Sequence, residues 1–173
     1  MKPLDHIQAM LLRICIRPFE KKNAVSFRDQ FQSAGRALIL LPDRGDEALN
    51  PVLRALDRMQ ILIVSFDGET TPESVKHPRR VDLDLKKRNL WTFYRSEALK
   101  QLCAHPFDLF IDLNPTPDLL GIFLSRKLGA SLRICMAPHH VAARCNLIYN
   151  PDGGASYSEK VSGCAAFIRR LLG

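Results

Sequence analysis

No apolar run in this 173-residue chain approaches the ~20 residues that a membrane-spanning helix needs. The opening stretch, M-K-P-L-D-H-I-Q-A-M-L-L-R-I-C-I-R-P, is interrupted by Asp5, Gln8 and Arg13, so it lacks the unbroken core of a signal peptide. Glycine-rich phosphate loops are missing as well. There is no G-x-G-x-x-G, and no loop ends in G-K-[ST]. Repeats and low-complexity tracts are absent. Cysteine is scarce and odd in number: five residues (Cys15, Cys103, Cys135, Cys145 and Cys164) are scattered through predicted strands and helices. That pattern argues against a secreted disulfide framework and for a reducing compartment, so a cytoplasmic location is expected.

What is present is an ordinary globular composition, 46% apolar and 25% charged, in a length that suits about one domain. The net charge of +7 is unevenly placed. Residues 1–36 hold seven Lys/Arg against three acids, residues 76–100 hold eight against three, and residues 37–75 reverse this with three against seven. Nucleic-acid binding requires exposed aromatics among the basic residues or a recognisable module. Instead, Phe19, Phe27 and Phe31 fall at helical spacings that suit packing. A solvated basic face is the commoner meaning of such charge.

Residues 1–35 read as a basic helical extension. Leu4, Ile7, Leu11 and Ile14 recur at helical spacing until Pro18, and a second short helix starts at Ser26, capped with Asp29 three residues on. Docking on the sheet is favoured for the first helix over membrane contact, because two arginines make a thin polar face. Residues 36–173 then alternate. Strands are predicted at 36–41, 61–66, 81–85, 107–113, 132–136 and 146–149. Helices are predicted from Asn50, as N-cap ahead of Pro51, to about Arg58, from Leu90 to Cys103, from Thr116 to Gly129, and after the Ser156/Glu159 capping box. Strands apolar on both faces and separated by helices specify a three-layer, Rossmann-like α/β domain. Its parallel sheet of five or six strands is expected in the order 3-2-1-4-5, the sixth strand being weak.

Two strands break into loops that lead to helices: R-A-L-I-L-L into P-D-R-G-D, and F-D-L-F-I-D-L into N-P-T-P-D. If these strands are neighbours where the winding order reverses, Arg44, Gly45, Asp46, Asn114 and Thr116 face one crevice at their carboxyl ends. Asp46 suits a cap for its own helix, the commoner role of such a carboxylate, with a general base as the competing one. Cys135, His139, His140 and Cys145 lie within eleven residues. Their spacing matches no common zinc finger, so no metal is expected. Both histidines sit at the ligand-bearing end of the sheet, where an acid–base or phosphate contact competes with a plain surface loop. The P-D-G-G turn has the amides to approach a phosphate, although a tight turn explains it equally well.

L-I-L-L-P-D-R-G-D followed by P-V-L-R-A-L, then F-D-L-F-I-D-L-N and L-S-R-K-L-G-A-S-L-R-I, resembles the N-terminal half of the heptosyltransferases of glycosyltransferase family 9. The likeness covers about residues 36–136 and is carried by the order of the pieces. It implies the acceptor-side domain of a GT-B enzyme, with Asp46 in the place of the base toward the acceptor hydroxyl. Three departures accompany it: a spacing from Asp46 to Pro51 one residue short, the basic helices ahead of the first strand, and no second Rossmann domain before Gly173. The chain is also similar to short, single-domain bacterial proteins of unknown function. The resulting expectation is a ligand- or partner-binding protein without transferase activity of its own and without a cofactor. The alternatives are the acceptor-binding half of a split glycosyltransferase in cell-envelope glycan synthesis, or a basic protein-interaction module. The partners left open are a small-molecule or glycan ligand, a protein partner and a second copy of the chain. Nucleic acid and peripheral membrane contact are disfavoured.

Overall fold

The computed structural model describes residues 26–42, 48–65, 79–82, 97–116, 119–136 and 145–172. In chain order the elements are α1 (Phe27–Ser33), β1 (Arg36–Leu40), α2 (Asn50–Ala55), β2 (Gln60–Ser65), β3 (Arg79–Asp82) and α3 (Glu97–Cys103). They continue with β4 (Leu109–Asp112), α4 (Leu119–Lys127), β5 (Leu132–Cys135), β6 (Leu147–Ile148) and α5 (Tyr157–Leu172).

The strands form one sheet in the order β3-β2-β1-β4-β5-β6, and every neighbouring pair is parallel. The expected order is therefore the observed one, with the weak sixth strand at the edge. Alternation along each strand divides the core. Ala37, Ile39 and Leu41 join Phe31, Val52, Leu56, Val161 and Ile168 on one face. Leu38 and Leu40 join Leu99, Leu102, Phe123 and Leu124 on the other. Helices α1, α2 and α5 thus cover one side and α3 and α4 the other, as strands apolar on both faces require.

Local signals position these elements. Ser26 Oγ accepts the Asp29 amide at 3.4 Å and starts α1. Glu159 and Ser156 exchange bonds: the Glu159 amide donates to Ser156 Oγ at 3.3 Å, and the Ser156 amide donates to Glu159 Oε2 at 2.7 Å. The side-chain and backbone bonds from Ser156 hold the Glu159 carboxyl below its ordinary pKa. Gly129, at φ 67°, ends the chain's run through α4 in the left-handed conformation that glycine adopts without a Cβ clash. At the sheet edge, Asn146 makes up for a two-residue β6. Its Oδ1 accepts the Arg133 amide and its Nδ2 donates to the Ser131 carbonyl, both at 2.6 Å.

Several expectations shift. Asn50 is the first residue of α2 rather than its cap; Leu49 holds the cap position without a side-chain bond, and the helix stops at Ala55. Strand β3 lies at 79–82, ahead of the expected 81–85, and pairs Leu62–Ser65 with Arg79–Asp82. Phe31 is fully buried, worth ~1.5–3 kcal/mol of transfer free energy, whereas Phe27 is 43% exposed and stays outside the core. The expected first helix, with Leu4, Ile7, Leu11 and Ile14, lies outside the described residues, as does Phe19.

Candidate functional site

The sheet reverses its winding between β1 and β4, which makes the space outside their carboxyl ends the place where a parallel sheet of this kind holds a ligand. Three strand ends meet there in register. Leu40 stands opposite Asp112, and Asp112 opposite Cys135. The backbone continues the ladder one step further: the Leu113 amide donates to the Leu40 carbonyl, and the Met136 amide to the Asp112 carbonyl, each at 3.0 Å.

Asp112 is the polar centre of this end. Its alternation places it on the α3/α4 side, and it is only 9% exposed. Burying a carboxylate is costly unless hydrogen bonds replace its water. Here Oδ1 accepts two donors from Asn114, the backbone amide at 3.0 Å and Nδ2 at 2.6 Å. Asn114, itself buried, is thereby locked in a fixed orientation just beyond β4. Helix α4 approaches the same carboxylate through Gly121: a Cβ there would lie 2.6 Å from Asp112 Oδ2 and 3.0 Å from Leu40 Cδ2. The glycine is what lets α4 pack this close to the strand ends.

Asn114 and Thr116 occupy the segment that leaves β4, Asn114 buried and Thr116 exposed to solvent. Arg44, Gly45, Asp46, His139 and His140 lie outside the described residues. Sequence reasoning missed Asp112. The available signal was a carboxylate near the end of an otherwise apolar strand run, F-D-L-F-I-D-L, where burial makes an acid unusual. The other acid of that run, Asp108, serves the fold. Its Oδ2 accepts the amides of Gly35 and Arg36, both at 2.9 Å, and ties the start of β1 to β4.

Comparison with protein-family models, curated proteins and solved structures finds no match. The chemistry of the site therefore rests on its own residues.

Next to Asp112, Cys135 is joined to Cys145 in a disulfide with a Cα–Cα distance of 6.0 Å, well inside the span such bonds bridge. The bond departs from the reduced cysteines expected of the sequence, where Cys135 and Cys145 stood close only as candidate metal ligands; that they meet across β5 and β6 is a tertiary property. Among the described residues, no group of three potential metal ligands comes together. Behind the site, Arg133 is buried on β5; burial first, and the neighbouring Arg126 second, lower its pKa to about 10. Cys164 is buried in the opposite layer, and desolvation raises its thiol to about 12. No helix among the described residues is long and apolar enough to cross a membrane. The arrangement supplies an oriented, buried carboxamide and an exposed threonine just beyond β4, with a buried carboxylate behind them.

Proposed function

We propose that this protein binds a small polyhydroxyl or phosphorylated ligand, of the sugar-phosphate or glycan class, at the crevice outside β1 and β4. The observation that carries the reading is the reversal of strand order at β1/β4 together with Asn114 held by the buried Asp112 carboxylate at that point. A carboxamide fixed before binding loses little entropy on meeting a hydroxyl, which is how a few polar groups give orientation in a site. In this reading Thr116, Arg44, Gly45, Asp46 and the two histidines His139 and His140 complete the crevice.

Isothermal titration with glucose 6-phosphate, UDP and UDP-glucose tests it. At least one of them is expected to bind saturably, and Asn114→Ala to weaken that binding about tenfold, the equivalent of roughly one hydrogen bond. No binding by any of the three, or binding indifferent to both Asn114→Ala and Asp46→Ala, overturns the reading.

A second reading is favoured by the heptosyltransferase-like order of L-I-L-L-P-D-R-G-D and F-D-L-F-I-D-L-N. In it the crevice holds the acceptor of a glycosyl transfer and Asp46 takes the proton of the attacking hydroxyl. Donor and acceptor must be aligned across a cleft for such a transfer. Turnover of a nucleotide sugar only when a second protein is supplied, and its loss in Asp46→Ala, selects this reading; binding without turnover under all combinations rejects it.

A further inference from the structure

A cavity of about 620 Å³ lies at the opposite end of the sheet from the crevice. Its walls include Ala34 and Met59, which stand just before β1 and β2, and the last turns of α1, α2 and α5. Its lining sets the half-buried Met59 and Leu172, with Phe31 and Leu56 buried beneath them, beside the exposed Arg54, Arg58 and Arg169 and one acid, Asp57. We infer that this is a second binding site, for a small organic anion whose negative group meets the arginines while an apolar body packs on Met59 and Leu172.

The volume falls within the ~300–1,000 Å³ of small-molecule sites. Arg54 and Arg58 are exposed, and among the described residues neither makes an ion pair or a side-chain hydrogen bond. Arg169 differs, because its Nη2 donates to the Pro51 carbonyl at 3.5 Å and helps to hold α5 against α2. Arginines at helix carboxyl ends have an ordinary role in offsetting the partial negative charge there. Helices α1 and α2 are short, seven and six residues, so that need is small there, and at the end of the sixteen-residue α5 it is met by Arg169 and Arg170. Arg54 and Arg58 against one carboxylate exceed it. Guanidinium forks pair with carboxylate, phosphate or sulfonate through two parallel bonds, and stack on flat apolar surfaces. An amphipathic anion uses both properties; a sugar, with neither charge nor an apolar face of that size, uses neither.

The probe is 8-anilinonaphthalene-1-sulfonate, with the uncharged N-phenyl-1-naphthylamine as its control, titrated by fluorescence onto the folded protein. Saturable one-site binding is expected, at least tenfold tighter for the sulfonate than for the neutral analogue. The double variant Arg54→Ala/Arg58→Ala should weaken the sulfonate at least tenfold and leave the neutral analogue unchanged. Arg169 is left intact because of its structural bond, and matching near-UV circular dichroism shows that the variant is folded. Amide shifts on titration should cluster at Gln32, Met59 and Leu172 and leave Asn114 and Thr116 unmoved. That separates this site from the crevice, whose ligand binding stands or falls independently. Equal affinity for both probes, no effect of the double variant, or shifts elsewhere overturns the inference.

Discussion

At the scale of single residues, Asp112 and the glycine that faces it define the polar end of the sheet. Gly121→Ala drives a methyl group into the Asp112 carboxylate and Leu40, and should cost ~1–3 kcal/mol in denaturant unfolding. In an Asp112→Ala background the same change should cost clearly less, because the nearer of the two obstacles is gone. Equal costs in both backgrounds would contradict the packing of α4 on the strand ends. The cysteines offer an independent check. With its pKa raised to about 12, Cys164 holds only about one thiolate in 10⁴ at pH 8, and it is fully buried. Iodoacetamide should label exposed Cys103 in the folded protein and reach Cys164 only on unfolding, as peptide mapping would reveal. Prompt labelling of Cys164 would mean that α5 is not seated as described.

At the scale of elements, local chemistry was largely legible. The Ser26 and Ser156 starts and the Gly129 stop depend on residues within one turn of each other, so spacing alone exposes them. Ser156→Ala removes the cap of α5, and a loss of ~1 kcal/mol in unfolding free energy is expected. The same cap gives a pH signature. Folding lowers the Glu159 pKa, so its contribution is fully present above the ordinary value of 4.5 and fades as pH falls through the folded one. Stability between these two values should fall less steeply with acid in Glu159→Gln than in the wild type. The Cys135–Cys145 bond was not legible, since ten residues of separation say nothing of where the two ends meet. Closing a loop of that length is worth ~2–3 kcal/mol, so a reductant should lower the melting temperature of the wild type and leave Cys135→Ser/Cys145→Ser unchanged. An indifferent wild type would show that the pair does not form.

At the scale of the whole molecule, the strand order could be read before any coordinates because few topologies survive. Alternating strands and helices, short connections and right-handed crossovers leave a doubly wound parallel sheet as the natural solution, and 36–40 and 109–112 emerge as its central pair. The carboxyl ends of that central pair follow from the order, as does the position of Asn114 and Thr116 just beyond β4. What the order does not contain is which side chain the core buries at these strand ends. Asp112 became visible only when register set it between Leu40 and Cys135 and packing brought Gly121 against it. The arginine-lined cavity was hidden for the same reason: Arg54 and Arg169 are 115 positions apart and meet only through the packing of α2 on α5. The central claim is that a polar ligand is held where the sheet reverses. It is tested most directly by following backbone amide shifts while glucose 6-phosphate, UDP and UDP-glucose are titrated in turn. For at least one of them, the predicted result is saturable shifts centred on Asp112, Asn114 and Thr116 that weaken in Asn114→Ala. Shifts absent from these positions for all three, or centred at the other end of the sheet, would contradict it.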